Sequence, residues 1–227
     1  MDYSYLDRNI GEVMAAINAV DTDENVVMLA AVKSAEVDEI NYIHKNLGVN
    51  DIGENRVQQL LSRYDAIEKE NLNIHFIGHL QTNKVKYIID KVCMIHSLDS
   101  ERLAKEIDSQ AKKHGLVMRV LVEINSGREE NKDGVMPEDA EALCEALAGY
   151  ENIKLCGFMT MAPKCEDKDE YLKYFGEIRE LALDIWKNKL GREDKPILSM
   201  GMSGSFREAV ACGSTMVRIG SRLFVKS

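Results

Sequence analysis

Eight short apolar runs, separated by charged stretches, constrain this chain more than any other feature of its sequence. They cover residues 26–32, 49–53, 74–77, 93–97, 118–124, 155–160, 197–200 and 216–219. Each is too short for a buried helix and suits a strand covered on both faces. Between most of them the apolar residues fall at helical spacing. Leu103 and Ile107 follow a capping Asp99 or Ser100, and Leu143 and Leu147 follow Pro137, which suits a first helical turn. Leu172, Phe175, Ile178, Ala182 and Ile185 define a longer helix with Trp186 near its end. Leu6, Ile10, Val13, Met14 and Ile17 define one more helix ahead of the first strand. Strands alternating with helices imply βαβ units and a parallel sheet. Eight units after an extra N-terminal helix point to a closed α/β fold, a (β/α)8 TIM-like barrel spanning residues 1–227 as one domain. An open, doubly wound sheet is the alternative.

Composition narrows the function. The 227 residues carry a formal charge of −9, and 45% are hydrophobic. That supplies a core and argues against a general nucleic-acid or anionic-membrane binder. The first twenty residues include Asp2, Asp7 and Glu12 and lack the pattern of a signal peptide. No apolar run approaches the ~20 residues of a spanning helix. The five cysteines form no CxxC, so the expectation is reduced, mostly buried thiols in a cytoplasmic protein without a zinc site.

In parallel α/β folds the chemistry gathers at the C-terminal ends of the strands. The first strand runs into Lys33, which is costly to bury without a partner and can serve as an amine nucleophile toward an aldehyde. A snorkelling lysine is the competing assignment. The second strand leads into Gly53-Glu54-Asn55-Arg56, and the fifth ends in Glu123-Ile124-Asn125. The seventh and eighth lead into Met202-Ser203-Gly204-Ser205 and Arg218-Ile219-Gly220-Ser221. Barrels often bind phosphate with those last two loops, so Ser203, Gly220 and Ser221 are candidate phosphate ligands, with a helix N-terminus assisting. His75 and His79 are expected to be structural or rim residues, because no acidic or Cys partner clusters with them in sequence. No Walker-type or dinucleotide-binding glycine motif is present.

Taken together, these motifs resemble the pyridoxal phosphate homeostasis protein family, also called the YggS/PROSC family. The matching pieces run in order along nearly the whole chain. They are Leu29-Ala30-Ala31-Val32-Lys33, Gly53-Glu54-Asn55-Arg56-Val57-Gln58 and His75-Phe76-Ile77-Gly78-His79-Leu80-Gln81-Thr82-Asn83-Lys84. Asn131-Lys132-Asp133-Gly134, Gly157-Phe158-Met159-Thr160-Met161-Ala162-Pro163, Leu198-Ser199-Met200-Gly201-Met202-Ser203 and Gly213-Ser214-Thr215-Met216-Val217-Arg218-Ile219-Gly220 complete the set. The resemblance implies a barrel similar to the alanine racemase N-terminal domain, with pyridoxal 5′-phosphate (PLP) held as a Schiff base on Lys33. It implies Arg218 beside the pyridine nitrogen, Ser203, Gly220 and Ser221 on the phosphate, and Asn55 near the cofactor. Val32 stands where the family usually has serine, Ser205 where aspartate is common, Ser221 where threonine is common, and Val225 where glycine is common.

An arginine at the ring nitrogen disfavours its protonation and weakens the ring as an electron sink. Racemisation also needs a base on the second face of the cofactor, which alanine racemases draw from another domain. This chain runs only to Ser227, which sets the expectation of an open rim. The resemblance therefore implies a PLP carrier or regulator in vitamin B6 homeostasis, without robust turnover. PLP-dependent apoenzymes or free amino acids would be its acceptors, and a monomer is the default. A weakly active PLP-dependent racemase-like enzyme is the alternative, and a phosphosugar-binding barrel with a structural Lys33 is a third reading. Whether Lys84 or Lys132 makes a second cofactor contact stays open.

Overall fold

The computed structural model describes residues 2–226. Eight strands form the sheet: β1 Val27–Ala31, β2 Asp51–Glu54, β3 Asn73–Phe76, β4 Met94–Leu98, β5 Met118–Ile124, β6 Ile153–Thr160, β7 Ile197–Met202 and β8 Met216–Ile219. They pair in sequence order and β8 returns to β1, closing a parallel barrel. Each apolar run of the sequence holds one strand, with ends shifted by at most two residues. The open-sheet alternative is therefore excluded.

Seven α-helices surround the barrel: α1 Ser4–Asn18, α2 Val37–Leu47, α3 Val57–Arg63, α4 Glu101–His114, α5 Ala140–Leu147, α6 Lys168–Asp184 and α7 Phe206–Ala211. The predicted caps hold where they can be checked. Ser100 Oγ accepts the Leu103 N–H at the start of α4, and Pro137 opens the 3-10 turn that leads into α5. Three details differ from the sequence expectation. Met14 lies at the edge of the α1 stripe and is exposed, while Tyr5 joins Leu6, Ile10, Val13 and Ile17 in the buried face. Leu172 is likewise exposed on α6, which passes at Ile185 into a π turn carrying Trp186. The crossover from β3 to β4 has no α-helix and runs through the 3-10 segment Thr82–Tyr87.

Side chains alternate across each strand, so a barrel strand feeds two cores. On β1, Met28, Ala30 and Val32 join the layer between sheet and helices. Val27, Leu29 and Ala31 face the lumen, where they meet Ile77, Met216 and Ile197. A second lumen cluster contains Met94, Leu121 and Met159. Gly157 permits a close approach of the barrel wall, at φ 146° and against the backbone of Ile197, where a Cβ would overlap the neighbouring strand. Of the cysteines, Cys144 is buried and the other four are half-buried, all as free thiols, so burial is less complete than expected.

Candidate functional site

Two residues past Ala31, Lys33 lies in a turn at the C-terminal mouth of the barrel, with an exposed side chain. It follows the inward parity of Leu29 and Ala31. The turn is anchored from behind by buried Arg63 of α3. Its guanidinium donates to the Val32 carbonyl at 3.0 Å and the Ala35 carbonyl at 2.9 Å, bracketing Lys33 and Ser34. Its Nε donates to Glu54 Oε1 at 2.7 Å, at the end of β2. Burial raises the Glu54 pKa, and the Arg63 charge opposes that rise. Gln59 completes the anchor by donating to the Lys33 carbonyl at 2.9 Å. Val32 points outward into the apolar layer, so the hydroxyl that this position usually carries has no counterpart there.

Asn55 follows β2 beside this turn. Its Oδ1 is buried and has no hydrogen-bond partner among the described residues. Gly78, after β3, packs directly on the Asn55 backbone, and a Cβ there would overlap the Asn55 carbonyl. The glycine in the motif around residue 78 therefore sets the position of Asn55.

Register carries the other half of the site to the same mouth, because Ala30 pairs with Ile219. Gly220 N–H donates to Ser203 Oγ at 3.3 Å, which joins the loops after β7 and β8. Ser221 is exposed beside them. The expected helix N-terminus contributes little, since α7 has only 6 residues. Arg207 and Arg222, which sequence reasoning did not single out, both sit over the Phe206 ring and add positive charge next to these loops.

Arg218 is buried at 4% exposure. It donates to the Ser199 carbonyl at 2.6 Å, to Ser199 Oγ at 2.8 Å and to the Thr160 carbonyl at 2.9 Å. Burial pulls its pKa down to about 10, and Glu123 opposes that. It stays a cation at neutral pH. Glu123 is 3% exposed. Burial, with Asp133 adding to it, pushes its carboxyl up to about 7 while Arg218 opposes. Asn125 is structural, exchanging hydrogen bonds with the backbone of Glu129.

The histidines require a correction. His79 is exposed at the rim, but it does have acidic neighbours: its Nδ1 lies 2.9 Å from Asp133, and Asp99 completes a group of three potential ligands. Loops after β4 and β5 bring those carboxylates in, which spacing along the chain cannot show. His75 is structural as expected, buried between His96 and Asp51. A mouth cavity of about 550 Å³ borders Glu123, Lys132, Asp133, Met161, Met202 and Ser205. Lys132 thus faces the mouth, whereas Lys84 lies near the Tyr87 ring on the β3–β4 crossover.

The comparisons give the class of protein to which this closed barrel belongs. The sequence matches the alanine racemase N-terminal domain over residues 1–227. Alanine racemase of Clostridium difficile shares the fold, with a TM-score of 0.78 at 19% identity over 99% of this chain and 57% of that one. More specifically, the chain belongs to the pyridoxal phosphate homeostasis protein family. The member from Aquifex aeolicus is 41% identical over 222 residues, 96% of this chain and 95% of that protein. The Helicobacter pylori 26695 protein is 34% identical over 99% of both chains. Among solved structures, PipY of Synechococcus elongatus with PLP bound has a TM-score of 0.82 at 25% identity, covering 97% of this chain and 100% of PipY.

The residues present fit such a cofactor. The buried Asn55 oxygen lacks a partner among the described residues, and Arg218 offers a fixed cation. Such unpaired groups are costly unless a ligand satisfies them.

Proposed function

We propose that this chain binds PLP and acts in vitamin B6 homeostasis as a carrier or regulator. The observation that carries this reading is the convergence at one barrel mouth of exposed Lys33, buried Arg218 and the Ser203–Gly220 junction. When bound, PLP supplies an aldehyde that condenses with an amine and releases water. Lys33 Nζ is that amine in this reading, and the turn anchored by Arg63 presents it to solvent. Ser203, Gly220 and Ser221 bind the phosphate, with Arg207 and Arg222 adding positive field. Asn55 orients the ring from the β2 side. Arg218 faces the ring nitrogen as a donor and keeps that nitrogen an acceptor. Among the described residues no helix is long and apolar enough to cross a membrane. Free amines or PLP-dependent apoenzymes are the acceptors that an exposed lysine at an open mouth would serve, and the barrel acts as a monomer in this reading.

The test is an absorption titration with PLP, followed by borohydride reduction and peptide mapping. The expected result is one phosphopyridoxyl adduct on Lys33, absent in Lys33→Ala. No adduct, or one scattered over surface lysines, would overturn the proposal.

A further inference from the structure

A hydrogen-bonded chain crosses the barrel lumen from the N-terminal end of the strands to the mouth. At the far end a cavity of about 410 Å³ is bordered by Asp51, His75, Cys93, Met94, Arg119 and Met216, all near the starts of their strands. Asp51 is 22% exposed there. Its Oδ1 lies 3.0 Å from His75 Nε2. His75 Nδ1 lies 2.9 Å from His96 Nε2, and His96 Nδ1 lies 3.2 Å from Ser199 Oγ. Ser199 Oγ accepts from Arg218 at 2.8 Å. His75, His96, Ser199 and Arg218 are all buried.

The two ends set the direction of every link. A guanidinium only donates and an ionised carboxylate only accepts. Burial works against ionisation of Asp51, but His75, Asn73 and Arg119 hold its carboxyl below the usual value. Arg218 cannot accept, so the Ser199 hydroxyl hydrogen is free to point to His96 Nδ1. At the other end Asp51 only accepts, so a neutral His75 carries its hydrogen on Nε2 and leaves Nδ1 as an acceptor. A neutral His96 then donates from Nε2 to His75 Nδ1 and accepts from the Ser199 hydroxyl at Nδ1.

We propose that His75 and His96 are positioning residues for Arg218. Through Ser199 they fix the oxygen on which the guanidinium rests, and they tie that support to the charge of His75 at the opposite end of the barrel. A proton taken up by His75 sits on Nδ1, which then donates. His96 must accept it at Nε2, shift its own hydrogen to Nδ1 and donate to Ser199 Oγ. The Ser199 hydroxyl hydrogen loses its acceptor, and its oxygen is shared between His96 and Arg218. Of the two rings, His75 is the one that faces a carboxylate, Asp51 from β2. Burial first, then the neighbouring His75, Arg218 from β8 and Arg119 from β5, all oppose charge on His96, and Cys93 at the head of β4 stays a neutral thiol.

This inference rests on the PLP reading for the role of Arg218, so the test has two arms. The first is NMR of the full chain labelled with 15N-histidine, without PLP. At pH 8 both histidines should be Nε2–H tautomers. As the pH falls, His96 should switch to Nδ1–H in the same titration that protonates His75. An Nδ1–H His96 at pH 8, or a switch independent of His75, would overturn the relay. The second arm is PLP titration across pH with wild type, His96→Leu, His96→Gln and Ser199→Ala. A loss of affinity of about tenfold or more is expected in the Leu and Ala variants, together with the pH step that follows His75. Gln, which can accept and donate at once, should recover most of the affinity. Unchanged affinity and pH profile in folded Ser199→Ala would overturn the positioning role. A wild-type protein that takes no PLP would refute the functional reading instead, and the tautomer measurement would still decide the relay.

Discussion

The two sides of the mouth solve opposite problems. The Lys33 side presents an exposed amine and is held by its backbone, because Arg63 grips the carbonyls on either side of the turn. The Arg218 side presents a buried guanidinium and is held by its side chain, which rests on Ser199 and Thr160. In the proposed PLP role the Lys33 amine needs access and rotational freedom, and its support lies behind it. A cation meant to sit in one place needs the reverse, and burial with three hydrogen bonds supplies that. The β1 turn should therefore be mutable at its tip and intolerant at its base, whereas β8 should be intolerant at Arg218 itself.

The largest expected effect comes from breaking the base of the Lys33 turn. Arg63→Ala leaves Glu54 buried with no counter-charge and removes the bonds to the Val32 and Ala35 carbonyls, of which Val32 keeps the Ala35 N–H, costing about 3–5 kcal/mol in denaturant unfolding. Because burial alone then acts on Glu54, the loss should grow as pH rises, and adding Glu54→Gln should recover much of it. A stability change near zero would show that the turn supports itself. Across the mouth, Glu123 should make the Arg218 side sensitive to pH in the opposite sense to an ordinary paired carboxylate. Its folded pKa of about 7 lies above the ordinary 4.5, so the folded chain holds a proton that the unfolded chain has released. Stability falls as pH rises through that window. Glu123→Gln should be more stable than wild type by about 2–3 kcal/mol at pH 8 and equal to it near pH 4. Thermal unfolding at the two pH values checks this.

A smaller effect is expected beneath Arg218. Ser214 Oγ lies within 3.0 Å of the Leu198, Met200 and Met216 carbonyls, linking β7 to β8. Ser214→Ala should cost about 1–2 kcal/mol and weaken PLP binding through the loop pair above. The smallest stability effect belongs to Lys33→Ala, within about 0.5 kcal/mol, although it should abolish the borohydride-fixed adduct. A strongly destabilised Lys33→Ala would erase the contrast between tip and base.

The barrel was legible because strands buried on both faces read as continuous apolar runs, and eight of them leave few alternatives. Lys33, Asn55, Ser203 and Ser221 were legible as polar residues past those runs, Arg218 as a charge inside the last run and Gly220 as part of the loop after it, and the structure brings the β1–β2 set and the β7–β8 set to one mouth. What sequence could not show is what meets across the lumen. Ser199 and His96 sit inside apolar strands 103 residues apart and look like isolated polar interruptions. Arg63 looks like a helix-end cation, yet its guanidinium turns back under a turn 31 residues earlier. The winding of the β3–β4 crossover was likewise beyond sequence patterning. Its segment holds Val85, Ile88 and Ile89 in the core, a spacing close enough to helical, but the hydrogen bonds Lys84 to Gln81 and Ile88 to Val85 wind it tighter.

That tighter crossover bears on how the molecule breathes. A 3-10 segment makes poorer hydrogen bonds than an α-helix, and the strands beneath it share two register pairs, as few as β1–β2 and β7–β8 share, but with no α-helix in the crossover. A closed barrel has no free edge, so it opens where one seam is weakest. Amide hydrogens along β3 and β4 should therefore exchange with solvent sooner than those of the long β5–β6 pair, giving the cylinder a preferred place to unzip.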